Sequence, residues 1–292
     1  MTKSVLGIIG GSGVYHLPGL SNRRELDITS PWGAPSAPLV AGEIDGLPIV
    51  FLARHGQGHR LGPTDINYRA NIDAMKRAGV TDLVSVSACG SFREELSPGT
   101  FVLVDQFIDR TFARAKSFFG EGCVAHVAIA DPVSPALADR LERAAQAEAI
   151  PCKRGGTYLV MEGPQFSTRA ESELYRAWGC DVIGMTNMPE AKLAREAEIC
   201  YATVAMVTDY DCWHDEHTDV DIQDILRVIR DNADKAARLI ACLARDFPGE
   251  HPPCPLGSDR ALEHAIITAP EARDPALVAK LDAVAGRVLN PA

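Results

Sequence analysis

The chain of 292 residues has no apolar run near the roughly 20 residues that a membrane-spanning helix needs. It has no leader pattern either, since "MTKSVLGIIGG" is too short in its apolar part and too glycine-rich for a secretory signal. The expectation is a cytoplasmic protein without a membrane partner. Positive charge is scarce: 29 Lys and Arg stand against 39 Asp and Glu, a formal net charge of −10. Nucleic-acid phosphates find little to attract them, so no DNA or RNA partner is expected. Eight cysteines are present, yet none forms a C-x-x-C pair. Cys89, Cys123, Cys152, Cys180, Cys200, Cys212, Cys242 and Cys254 are scattered, mostly among apolar neighbours. That speaks against a zinc site or a disulfide framework, and for reduced thiols acting as small buried hydrophobes. Two nucleotide signatures are also missing. No Gly-Lys-Ser/Thr follows the first glycine loop, and G-x-G-x-x-G fails because its third glycine would fall at His16.

What is present is an ordinary globular balance, 46% hydrophobic and 23% charged, enough for a substantial core in one large domain or two small ones. "SVLGIIGGSG", "LPIVFLARHG", "TDLVSVSACGS", "GTFVLVDQFID", "TYLVMEGPQF", "DVIGMT" and "ICYATVAMVT" read as strands, most of them running into polar or glycine turns. Between them lie helical patterns. "INYRANIDAMKRAG" places Ile66, Ala70, Met75 and Ala78 on one face and closes at Gly79. "SPALADRLERAAQAEAI" has Ser134 as N-cap and Pro135 at the first position. "RAESELYRAWG", "MPEAKLAREAE" and a long "IQDILRVIRDNADKAARLIACLARDF" complete the set. Strands alternating with helices predict an α/β layer structure around a largely parallel sheet. "PGEHPPCPLGSDR" reads as a linker, and Asp274-Pro275 opens one last helix that docks on the body or on a neighbouring subunit. The predicted division is 1–250 for the main domain and 251–292 for linker and C-terminal helix.

Polar residues recur at strand ends: Ser12, Arg54-His55, Ser87-Ala88-Cys89-Gly90, Thr186, and Asp209 with Asp211. Ligands of open α/β sheets bind just beyond the carboxyl ends of the strands, so these five ends can converge on one pocket. "GIIGGSG" suits a phosphate cradle, with Ser12 adding a hydroxyl donor, and suits an ordinary turn equally. Arg54 offers a bidentate fork to an oxyanion; the bland alternative is a surface Arg-His pair. His55 and His59 have metal-ligand spacing, but the glycines of "HGQGH" speak against a helix, and "HDEH" at 214–217 reads as a solvated acidic loop. Period-2 geometry puts Asp209 and Asp211 on one side if the strand persists to Asp211. Two carboxylates in one low-dielectric site force one to hold a proton, whereas a charged strand cap would need no such proximity.

The ordered blocks "GIIGGSG", "LARHG", "P-x-x-x-NYRANI-x-A", "SACGS-x-REE", "DQFIDRT", "EGPQFSTRAES", "GMTNMPEAKLAREAEICYA" and "TDYDCW", from about residue 5 to about 240, resemble the 5′-methylthioadenosine phosphorylases of the trimeric purine nucleoside phosphorylase family. The resemblance implies a mixed, largely parallel sheet flanked by helices, with a C-terminal helical extension. It implies phosphorolysis of 5′-methylthioadenosine, with inorganic phosphate as co-substrate; no motif indicates a cofactor or metal, and none is expected. Phosphate binding falls to Ser12, Arg54, His55, Ser87, Ala88 and Thr186. Met185 contacts the ribose, Asp209 and Asp211 hold the base, and Ser167 stands where base preference is set. Ile222 or Val220, or the C-terminal helix, lines the methylthio end. His126 is lent to a neighbour's pocket in a homotrimer. "GGSG" departs from relatives that carry threonine at Ser12, with the hydroxyl retained. Relatives acting on 6-oxopurines carry Asn in place of Asp209, so "TDYD" favours adenine over a methylthioinosine or 6-oxopurine nucleoside. Asp209 is the expected acid at N7, and Asp211 the expected partner of N6.

Overall fold

The computed structural model describes residues 2–11, 17–214 and 222–290; the side chains of 222–226 lie outside that description. Its centre is built from β-branched and apolar runs buried on both faces, as strands covered by helices require. β1 (Leu6–Gly10), β4 (Leu47–Ala53), β5 (Asp82–Ser91) and β11 (Cys200–Asp209) are parallel neighbours, β1 lying between β4 and β5 and β11 pairing the whole length of β5. β2 (Ser21–Leu26) and β3 (Leu39–Ile44) extend β4 as an antiparallel margin. Beyond β5 the order continues through β10 (Val182–Gly184), β9 (Thr157–Val160) and β7 (Gln106–Asp109). β6 (Phe101–Leu103) pairs antiparallel with β11, and β8 (Cys152–Arg154) runs parallel to β6. The sheet is thus mixed and largely parallel, and the chain forms one α/β domain.

The helices are α1 (Tyr68–Arg77), α2 (Pro135–Ala147), α3 (Arg169–Ala177), α4 (Asn187–Glu196), α5 (Ile222–Arg245), α6 (Pro275–Lys280) and α7 (Asp282–Leu289). Their starts are chemically marked. The Asn67 side chain accepts from the Ala70 N–H, Ser134 caps α2 with Pro135 behind it, and Thr168 and Glu171 form a reciprocal capping box on α3. Leu6, Ile8, Leu83, Val84, Val86, Ala202 and Val204 are fully buried beneath these helices, each contributing about 1.5–3 kcal/mol for the larger side chains. None of the described helices is long and apolar enough to cross a membrane.

Two expectations need correction, and one strand carried no signal. "GTFVLVDQFID" is two strands, β6 and β7, because the chain turns at Asp105, whose carboxylate and N–H engage Gly156, and passes from β8 to β9 as partner. The last helix is two, broken at Leu281, a fully buried side chain that anchors the corner. The polar strand β2 was not legible at all, since its exposed "SNRREL" carries no apolar alternation. The tail docks on its own chain: His251 Nδ1 lies 2.9 Å from Asp82, Arg287 forks onto Glu198 at 2.7 and 2.8 Å, and Asp282 pairs with Arg77 of α1.

One edge of β5 decides where a ligand can sit. β11 occupies the other edge throughout, while β1 ends opposite Val86 and β10 begins opposite Gly90. Between them, Ser87, Ala88 and Cys89 face a split in the sheet, and Ala88 is exposed although it lies mid-strand. A split of this kind at strand ends is the switch point at which α/β sheets bind ligands.

Candidate functional site

A cavity of about 310 Å³ opens at that split. Arg54, His55, Ser87, Ala88, Met185, Thr186, Asp209 and Asp211 all line it, brought together from four strand ends. Ser12 lies outside the described residues, as do Val220 and the Ile222 side chain. Ser167 is adjacent: half-buried, it donates to Met161 Sδ at 3.7 Å, and its carbonyl accepts from the Cys212 thiol at 3.5 Å. His126 is exposed and does not line the cavity; its N–H donates to Ala265 at 2.8 Å. Nor does α6 or α7 line it; the tail is held instead by Arg77 of α1 and by Glu198. The apolar wall is made instead by Met206 and Ile229.

At the anion-facing end Arg54 is fully buried, not a surface residue. Its fork is largely spent on the protein. Nε donates to Glu190 at 2.9 Å, Nη2 to Ser85 at 2.6 Å and Ile9 at 3.1 Å, and Nη1 to Val86 at 3.0 Å. One N–H of Nη1 remains for an anion among the described residues, so the bidentate edge faces Glu190 rather than the cavity. Burial opposes the charge on Arg54, but Glu190 more than offsets it and holds the guanidinium above its ordinary range. Behind this pair lies a buried polar network. Tyr201 donates to Glu190 at 3.0 Å, and Asn187 donates to Tyr201 at 2.9 Å and Thr203 at 2.6 Å. Ser87 donates to Asn187 Oδ1 at 3.1 Å, so its single proton must leave Asn187 to reach a bound anion. Thr186 precedes α4 without capping it. His55 sets Nδ1 2.9 Å from the Leu61 carbonyl and stacks on His59 at 4.1 Å. Burial, then the Arg54 charge, lowers its pKa to about 4, so a neutral imidazole faces the cavity at neutral pH.

The aspartates meet by a different route from the expected one. β11 ends at Asp209, and Asp211 opens a tight turn with φ of +52°, a conformation aspartate tolerates better than most residues. The Asp211 N–H donates to Asp209 Oδ1 at 2.8 Å, and the Thr208 hydroxyl to Oδ2 at 2.7 Å. Trp213 pins the turn by donating to the Ser91 carbonyl at 2.7 Å, with Arg176 3.7 Å above its ring. Burial, and with it the Asp209 charge, raises the Asp211 pKa. Gly90 leaves the pair its room: a Cβ there would stand 3.0 Å from Asp209 Oδ1. Among the described residues no group of three or more His, Cys, Asp and Glu is placed to hold a metal ion.

Several residues of the site escaped the sequence reading. Glu190 and Asn187 lie inside "TNMPEAKL", whose pattern marks a helix but not which polar residues it buries. Arg114 and Glu162 form a buried pair at 3.0 Å beside the cavity. Hydrogen bonds from Thr64, Phe112 and Ala113, with the Arg114 charge, overcome burial and hold Glu162 at about 2.

With fold and geometry in place, the class follows. Residues 5–245 match the phosphorylase superfamily, and the chain belongs to that family. Within it, the chain is similar to the S-methyl-5′-thioadenosine phosphorylase of Bradyrhizobium diazoefficiens, at 71% identity over 290 residues, covering 99% of this chain and all of that one. The enzyme of that name from Rhodospirillum rubrum is 61% identical, with 99% and 98% covered. A methylthioadenosine phosphorylase from an antarctic soil metagenomic library superposes with a TM-score of 0.92 at 47% identity, over 97% of this chain and 99% of that one. The Schistosoma mansoni methylthioadenosine phosphorylase in complex with adenine superposes with 0.76 at 35% identity, over 83% and 91%.

Proposed function

We propose that this chain catalyses the reversible phosphorolysis of 5′-methylthioadenosine to adenine and 5-methylthioribose 1-phosphate. The observation that carries the proposal is a single cavity with paired aspartates at one end and Arg54, His55, Ser87 and Thr186 at the other, in a chain of this family. Phosphate, held by those residues with Ala88 and Ser12, attacks C1′ of the ribose that Met185 contacts. The C1′–N9 bond breaks as a C1′–O bond forms, and the anion stabilises the cationic character of the sugar. Of Asp209 and Asp211, one acts as the acid and the other as the acceptor. The protonated member donates to N7, making adenine a better leaving group, while the ionised member accepts from N6–H. Asp209 is assigned to N7 and Asp211 to N6; the raised proton affinity of Asp211 makes the comparison of their Asn variants the deciding one. A carbonyl at position 6 would be repelled by the ionised carboxylate, which disfavours methylthioinosine and other 6-oxopurine nucleosides.

Met206 and Ile229 of the cavity wall offer the apolar methylthio group a matching surface, and Ser167, beside Met161, is assigned to base preference. No cofactor or metal enters the scheme. The protein works in the cytoplasm as a homotrimer in which His126 completes a neighbour's pocket. Phe166, which lines the cavity yet is 82% accessible, supports a covering subunit. Light scattering alongside activity on dilution tests this; a fully active monomer excludes it. The activity itself is tested by adenine release from 5′-methylthioadenosine with and without phosphate.

A further inference from the structure

Arg114 lies on the loop after β7, with its side chain 1% exposed. Nη1 donates to the carbonyls of Met185 at 2.6 Å and Met188 at 2.7 Å, and to the Tyr68 hydroxyl at 3.1 Å. Nη2 donates to the Glu162 carbonyl at 2.6 Å, and Nε to its carboxylate at 3.0 Å. The two carbonyls on Nη1 bracket Thr186 and Asn187. Thr186 faces the anion end of the cavity, and Asn187 Oδ1 accepts a hydrogen bond from the Ser87 hydroxyl. Met188 is extended, with φ −119° and ψ 132° inside α4, so its carbonyl is turned out of the helical ladder and toward Arg114. A buried carbonyl removed from its ladder needs another donor, and a planar guanidinium alone can serve both carbonyls and the Glu162 carboxylate at once.

We propose that Arg114 is a positioning residue for phosphorolysis, a clamp on the Met185–Met188 segment that sets the ribose and phosphate contacts without touching the base. Among the described residues its hydrogen bonds go to Tyr68, Met161, Glu162, Met185 and Met188, and none to Asp209, Asp211 or the turn that joins them. Its loss therefore separates two functions: sugar and phosphate positioning fails, while adenine recognition survives. The inference rests on the phosphorolysis reading, which the wild-type enzyme tests independently through phosphate-dependent adenine release.

The experiment is Arg114→Lys, which keeps the charge and loses the fork. Misplacing the segment by about 1 Å costs roughly 100-fold in kcat/KM, with the KM for phosphate raised. The Kd for free adenine stays within about twofold, because that contact is independent of the clamp. Unchanged phosphate KM and kcat overturn the proposal. Parallel loss of adenine binding, activity and melting temperature overturns it too, since that is the signature of a merely structural residue. Should Arg114→Lys fail to fold, Tyr68→Phe carries the test, removing one partner of Nη1 and no charge. A rise of about threefold in phosphate KM with adenine binding unmoved supports the clamp, as the loss of one hydrogen bond predicts; no change in either overturns it.

Discussion

Replacing Glu190 by glutamine removes the only carboxylate that Arg54 contacts among the described residues, at 2.9 Å, where each side chain is 1% exposed. The amide is nearly the same size, so packing is kept and the change is electrostatic. The guanidinium keeps Ser85, Ile9 and Val86 as acceptors but loses its countercharge while staying almost wholly buried, with one Nη1 N–H left toward the cavity. Breaking a buried pair by neutralising one partner costs about 3–5 kcal/mol, more than the intact pair contributes net. For a chain of this size that lowers the melting temperature by roughly 10 °C. Inorganic phosphate, a dianion bound near Nη1, restores part of the missing charge. Glu190→Gln therefore gains more stability from saturating phosphate than the wild type does. Thermal melts of both proteins with and without phosphate read this directly. A variant within about 1 kcal/mol of wild type, or equal phosphate stabilisation in both, refutes the account of Arg54 as a charge held in place by Glu190.

Asp209→Asn and Asp211→Asn each lower kcat, with Asp209→Asn losing about 100- to 1,000-fold as the donor to N7; a far larger loss at Asp211 reverses the division of labour. Gly90→Ala sets a Cβ 3.0 Å from Asp209 Oδ1 and 3.2 Å from Ile183 Cγ2. It lowers kcat/KM about tenfold and stability by about 1–3 kcal/mol, and normal kinetics would show that the pair has room to spare. His55 is held at about 4 in the folded chain, below its ordinary value of about 6.5. The unfolded state thus binds the proton first, and this stability, of order 3 kcal/mol, is complete above about pH 6.5 and lost as pH falls toward 4. Denaturant melts across that range show a shallower decline in His55→Gln, and identical slopes contradict the assignment.

What the sequence made legible was whatever acts locally. Strand runs ending in polar residues, Ser134 with Pro135, and the spacing of Asp209 and Asp211 each carry their signal within a few residues. Convergence of the strand ends was inferable because parallel α/β strands share one polarity. The manner in which the aspartates meet was not, because the turn at Asp211 depends on Trp213 reaching back to Ser91. The direction of the Arg54 fork was not legible for a similar reason. Its edge is set by Glu190, 136 residues away, and a sequence pattern cannot say which of two anions a guanidinium faces. Arg114 and Glu162 were hidden likewise, a loop arginine and a turn glutamate that gain meaning from carbonyls 71 and 74 residues from Arg114.

The central claim is phosphorolysis of an adenine nucleoside, and the most direct measurement is free-base release from 5′-methylthioadenosine, with methylthioinosine and adenosine in parallel, in the presence and absence of inorganic phosphate. The account predicts adenine release from 5′-methylthioadenosine that stops when phosphate is withheld. Preference for methylthioinosine would contradict the role given to the aspartate pair, and release indifferent to phosphate would contradict the anion end of the site and make the enzyme a hydrolase.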